Sequence, residues 1–207
     1  MGLSAKAVNA IKHMAIGCFD ELRSLLDYNT AAKTAGAVAG TGVTLERDAL
    51  AGVVHQTVIK FTNAAVALAD EAGVVAYGGL KVYDFPAGNI LVLGAVLDVD
   101  LTKSSAGVNA NFDGDVGVGT VTASNNATLA STEQDIIPTT STPQASSGAT
   151  TANAVSTAVA VLDGTATAKD VYVNLLVDDA DHDVTGTACN LILNGTLTLT
   201  WVNLGDK

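Results

Sequence analysis

Residues 89–102 read NILVLGAVLDVDLT. The odd positions Leu91, Leu93, Ala95, Leu97, Val99 and Leu101 are all apolar, while the even ones pass from Ile90 and Val92 through Gly94 to Asp98 and Asp100. Successive side chains of a strand point to opposite faces, so a period of two with one apolar face reads as a half-buried strand. The even face turns wet toward its C-terminal end, which predicts an antiparallel sheet with one side in the core. On that reading Leu93 and Leu97 are both core residues, and Asp at either position unfolds the protein.

The same period returns near the end of the chain. Leu191, Leu193, Leu197, Leu199 and Trp201 share one face, with Gly195 opening a gap, while Asn194, Thr196, Thr198 and Thr200 share the other. That Thr row is a solvated sheet face or one side of an interface. Val171, Val173, Leu175 and Val177 alternate against Tyr172, Asn174 and Asp178. Shorter strands are predicted at 53–61, 64–68, 79–85, 118–122 and 134–137, with turns at 70–73 (DEAG) and 85–88 (FPAG). Residues 103–119 read as loop, and 138–151, PTTSTPQASSGATT, as a long surface loop. Short strands at this spacing predict a sandwich or a barrel.

The chain opens with a different period. Leu3, Ala7, Ile11, Met14, Cys18, Leu22 and Leu25 recur at steps of three and four, the stripe of an amphipathic helix over 3–26, with Lys12, Asp20 and Arg23 on the remaining surface. Such a stripe must be buried, on its own domain or on a neighbouring subunit or partner. Residues 31–42, AAKTAGAVAGTG, have linker composition and should be extended or mobile unless something holds them. Their glycines lack the Gly-Lys-Ser/Thr or G-x-G-x-x-G context of a nucleotide loop.

With 207 residues, 48% apolar but only 4% aromatic, the core must come mainly from Ala, Val, Leu and Ile. A net charge of −11 argues against nucleic acid or an anionic membrane as partner. No apolar run reaches the roughly 18 residues of a membrane helix. Lys6 and Lys12 inside the first apolar pattern argue against a secretory signal. Cys18 and Cys189 are accordingly expected as buried reduced thiols rather than a bridge.

Chemistry-bearing residues are sparse. Asp178, Asp179, Asp181 and Asp183, around His182, could supply the oxygens a Ca²⁺ ion takes, set against a solvated acidic turn. Asn109, Asn111, Asp113, Gly114 and Asp115 reproduce the opening of a calcium loop, but Thr120 stands where its final Glu belongs. His13, His55 and His182 accompany no catalytic motif, so no enzyme and no cofactor are expected.

The run at 76–96, AYGGLKVYDFPAGNILVLGAV, together with 170–185, DVYVNLLVDDADHDVT, and 195–205, GTLTLTWVNLG, resembles virion structural proteins of tailed bacteriophages. The resemblance covers the chain from about residue 53 to its end. It implies a jelly-roll-like sandwich that acts through its surface, most like a capsid decoration or cementing protein, and it brings no catalytic or binding residues with it. Together these readings give a mainly β protein: an antiparallel, jelly-roll-like β-sandwich over 43–207, preceded by an N-terminal amphipathic α-helix and extended arm over 1–42. The function expected is that of a non-enzymatic structural protein of the virion, assembled in the host cytoplasm. As a homotrimer it would bind the major capsid protein lattice, with no nucleic acid or membrane partner. The stripe from Leu3 to Leu25 is the expected oligomer or anchor surface. Two alternatives stand beside it. One is a tail or tail-tube component; the other is a carbohydrate-binding module, which would need exposed aromatics from among Tyr28, Tyr77, Tyr83, Tyr172 and Trp201.

Overall fold

The computed structural model describes residues 34–51, 53–71, 75–104, 106–124, 128–178 and 189–205. The predicted helix, with Leu3, Ala7, Ile11, Met14, Cys18, Leu22 and Leu25, lies outside these residues, as do Asp179, Asp181, His182 and Asp183. What is described is mainly β, with one short 3-10 turn at Ser131–Glu133. The strands are β1 (Ala37–Val38), β2 (Val43–Ala51), β3 (Val54–Glu71), β4 (Val75–Asp84), β5 (Gly88–Lys103), β6 (Gly114–Gly119), β7 (Ile137–Thr142), β8 (Ala149–Val155), β9 (Ala160–Gly164), β10 (Asp170–Asp178) and β11 (Cys189–Asn203).

Pairing is antiparallel throughout, and the path β7-β6-β10-β4-β3-β11-β5-β8 nearly closes on itself as a barrel. Its two end strands, β7 and β8, are consecutive in the chain. The turn between them is tied down where Ala145 N donates to Phe112 O and Gly148 N to Ala110 O. Closure of this kind leaves few open strand edges. Three strands sit off the path, β1 on β4, β2 on β3 and β9 on β5.

The opening strand corrects the sequence reading at one point. Ile90 and Val92 are buried in its first half, whereas Ala95, Leu97, Val99 and Leu101 are buried in its second. The inward parity therefore changes, and it does so where the register with β11 slips between Thr200 and Trp201. An extra residue in β5 makes a bulge, and a bulge sends the following side chains to the other face. Leu93 falls at that slip and is 42% exposed, so it is not the core residue the alternation predicts.

A second bulge joins what read as two strands, 53–61 and 64–68, into the single 18-residue β3. Phe61 and Ala64 are both buried across it, and Asn63 takes φ 50. The Asn63 N–H donates to Asn194 Oδ1 at 2.8 Å, which anchors the bulge to β11. Gly195 stands opposite at φ 137, where a Cβ would collide with the Asp98 carbonyl. The gap in the apolar row of β11 is thus a close approach of two backbones that only Gly permits.

The two segments read as loop also differ. Residues 103–119 end in strand β6, and 138–151 contain most of β7 and the start of β8. Their Thr-rich stretches pair with β6 and β5 and so find a ladder that local composition does not announce. The arm is likewise held, for β1 pairs Ala37 with Asp84 and Val38 with Tyr83. Residues 37–38 therefore belong to the sheet rather than to a free linker.

One core fills the interior. Trp201 of β11 meets Phe85, just past β4, edge-on with centroids 5.2 Å apart, and Tyr83 of β4 at 6.4 Å. Cys189, as expected, is buried, and its thiol donates to the Gly107 carbonyl at 3.4 Å.

Candidate interaction surface

Of the two predicted cation sites, the one at 178–183 lies almost wholly outside the described residues, and the one at 109–115 runs into a strand. Asp178 closes β10, while its neighbours Asp179, Asp181 and Asp183 lie outside the description. Gly114 and Asp115 belong to strand β6, and Asp115 Oδ1 accepts a hydrogen bond from Ser141 Oγ at 2.7 Å. Among the described residues no three His, Cys, Asp or Glu side chains gather as a metal site would require.

Two groups of polar side chains gather in the interior, and sequence reasoning did not find them. His55 of β3 is 1% exposed and stacks on Trp201 with ring centroids 4.1 Å apart and planes 9° off parallel. Trp201 Nε1 donates to Thr57 Oγ1 at 3.0 Å, and that hydroxyl donates to Asp48 Oδ1 at 3.0 Å. His55 Nδ1 lies 3.7 Å from the same carboxylate oxygen. Tyr83 closes the group, its hydroxyl accepting from Gly36 N at 2.9 Å. Burial pushes that phenol up from its usual value, against hydrogen bonds that lower it. A hydroxyl, an imidazole and a carboxylate are thus side by side. Thr57 is fully buried with its proton directed to Asp48, so no substrate can reach it, and the cluster ties β2, β3 and β11 together.

A second polar group seals the outer side of β10. Asn174 is fully buried; its Nδ2 donates to the carbonyls of Val121 at 2.8 Å and Glu133 at 2.7 Å, and its Oδ1 accepts from Ala123 N at 2.8 Å. Glu133 accepts from Ser124 N and Ala130 N, each at 2.9 Å. These bonds fold the segment after β6 back over β10, where Leu176, Val75, Ala123 and Leu129 form a small separate core. Asp135 belongs to this latch, accepting from Thr120 N at 2.9 Å and Thr120 Oγ1 at 2.7 Å.

Burial raises the Asp135 carboxyl above its ordinary value near 3.8, outweighing the bonds from Thr120 that lower it. Because the folded state then binds its proton more tightly than the unfolded chain, stability from this group is greatest at low pH. It falls as pH rises from about the ordinary carboxylate value through the raised one. Asp135→Asn should therefore flatten that part of the stability–pH profile, as denaturant melts at stepped pH between 3.5 and 7 would measure. An unchanged profile would contradict the assignment.

Among the described residues, exposed apolar side chains also gather on the outside of the sheet. On β5 the outward row beyond and before the bulge includes Leu91, Leu93 and Val96; Val161 of β9 pairs with Leu91 and Val155 of β8 with Val96. Val159 stands in the turn between β8 and β9, and Val96 is 48%, Val155 56%, Val159 54% and Val161 71% exposed, which gathers apolar side chains along this edge of the sheet. Further along the same outward row stand the exposed Asp98 and Asp100. Apolar area gathered in one place, unlike single exposed residues, marks a contact surface. No family model, curated protein or solved structure matches the chain. The chemistry of this face therefore has to be read from its own residues.

Sequence reasoning missed the patch because β8 and β9 were not foreseen as strands and because the bulge moved Leu93 outward. The alternation of Val159 and Val161 after Val155 is the one local signal of it. Of the aromatics a sugar-binding face would use, Trp201 and Tyr83 are interior, Tyr77 and Tyr172 are half-buried in the sheet, and Tyr28 lies outside the described residues.

Proposed function

We propose that the chain is a non-enzymatic structural protein of a tailed-phage particle, binding the assembled capsid lattice as a homotrimer and reinforcing it. The observation that carries this reading is the apolar patch on β5, β8 and β9. The two interior polar clusters are each satisfied by their own hydrogen bonds, and the patch is an apolar face that the body offers outward for contact. The phage assignment itself is supported by the resemblance at 76–96, 170–185 and 195–205. In this reading the two halves of the sheet, β1-β4-β10-β6-β7 and β2-β3-β11-β5 with β8 and β9, are the leaves of a flattened, jelly-roll-like sandwich. Anything that binds the assembled shell and not its free subunits stabilises the shell by linkage, and attachment through several copies multiplies modest contacts.

Electron cryo-microscopy of the particles made by the encoding phage, with and without the gene, tests this directly. Density on the outer capsid that disappears with the gene is the expected result. Density confined to the tail would favour a tail component, and no difference in either would overturn the reading. A second test uses truncation. Because β1 is part of the sheet, the cut belongs at residue 33 rather than 42. Removing 1–33 should leave the cooperative melt of the body in place while abolishing trimer formation and capsid binding; full retention of both would refute a role for the segment.

A further inference from the structure

We propose that the outer face of β2-β3-β11-β5-β8 is the contact between two copies of this chain, which pack back to back about a two-fold axis running along β11. The proposal goes beyond the particle reading and does not rest on it. A two-fold contact here is compatible with trimers joined elsewhere, and the two together give an assembly of dihedral symmetry.

The register lays this face out in rows. One runs Arg47, Val58, Thr198, Val96 and Val155 from β2 to β8, and the next Thr44, Lys60, Thr196, Asp98 and Asn153. Before them come Gln56, Thr200 and Gly94, and after them Asn194 with Asp100. The middle strand thus presents Thr196, Thr198 and Thr200 and no long side chain, as a sheet needs in order to approach another at about 10 Å. Val96 and Val155, both about half exposed, lie in the row through Thr198 and are covered by such an approach.

The charges of the face are divided by sign. Arg47 and Lys60 stand on the β2–β3 flank, Asp98 and Asp100 on the β5 flank, and all four are exposed. Lys60 and Asp98 share a row, one strand to either side of Thr196. A two-fold axis along β11 exchanges the flanks and keeps each row at its own height. Lys60 of one copy then faces Asp98 of the other, Val58 meets Val96, and each Thr of the middle strand meets itself. That is an isologous contact, in which every pairing off the axis occurs twice. A two-fold axis across the strands through the same row would instead lay Lys60 on Lys60 and Asp98 on Asp98, and like charges face to face oppose association. Packed sheets cross at about 30°, which spreads the corners of the contact and leaves its central rows opposed. Glu46, the extra residue at the bulge of β2, falls at the rim. Val159 and Val161 lie past these rows, toward the β9 end, and stay open for the contact proposed above.

Sedimentation equilibrium of the full-length protein tests this. The wild type should have the mass of two copies, or of six where trimers also form. Lys60→Glu and Asp98→Lys should each fall to half the wild-type mass at the same concentration, because each turns both attractive pairs into repulsive ones. Mixed one to one, the two variants should regain the full mass, since in a mixed pair both opposed positions again carry opposite charges. Thr198→Glu should also halve the mass, by setting two carboxylates against each other on the axis. Circular dichroism melts should stay close to that of the wild type, because Lys60 and Asp98 are exposed. A wild type with the mass of one copy or of three leaves this face to some other partner and overturns the proposal. So do Lys60→Glu and Asp98→Lys proteins that keep the full mass, or that stay at half mass when mixed.

Discussion

Leu97→Asp should abolish the cooperative unfolding transition, whereas Leu93→Asp, on the same strand, should melt within a few degrees of the wild type. Leu97 is fully buried between β11 and β8, pairing with Leu197 on one side and Ala154 on the other. Removing a buried Leu side chain alone costs about 2–5 kcal/mol. A carboxylate in its place must also be stripped of water or protonated, which adds several kcal/mol more. The total reaches the whole margin of a typical domain, about 5–15 kcal/mol. Leu93 is 42% exposed on the opposite face, and substitution at such a site shifts stability by no more than about 1 kcal/mol. Circular dichroism melts of the two variants side by side decide the matter. If both unfold, the bulge is misplaced and the uninterrupted alternation of the sequence was the better guide.

That pair of variants also marks the limit of what the sequence discloses. Period-two alternation found β5, β10 and β11, because a side-chain period is local and survives in any context. It could not find the bulges, since an extra residue is defined only against a partner strand far away in the chain. Asn63 makes sense only against Asn194 of β11, and Gly195 only against the Asp98 carbonyl of β5. β7 and β8 escaped for a related reason: their Thr, Ser and Ala are ordinary loop residues until β6 and β5 supply a ladder. The patch could not be read before those strands were placed. Asn174 read as an outward position and is sealed in by a segment whose return over β10 depends on its own side-chain bonds. The acidic cluster at 178–183 was legible as sequence, and only its first residue falls within the described structure.

Trp201→Ala should be the most damaging truncation of a single side chain in the core, by about 3–5 kcal/mol. The indole is fully buried, stacked on His55, and meets Phe85 and Tyr83 edge-on, so it joins the polar cluster of β2 and β3 to the aromatic packing beside β4. Such aromatic pairs contribute about 0.5–1.5 kcal/mol beyond their buried area, and three of them end on this ring. For a chain of this size each kcal/mol moves Tm by about 2–4 °C, so a fall of roughly 6–20 °C is expected. Trp201→Phe keeps most of the packing and loses the bond to Thr57, and should cost much less, about 1–2 kcal/mol. Thr57→Val isolates the remaining part, because it leaves the indole N–H buried without its acceptor and takes the donor from Asp48. If the polar link matters as argued, Thr57→Val should destabilise by about 1–3 kcal/mol despite its nearly unchanged shape. Denaturant melts followed by circular dichroism, which do not depend on the removed chromophore, give all three values on one scale. Equal losses for Trp201→Phe and Trp201→Ala would mean the hydrogen bond, not the packing, holds this end of the barrel.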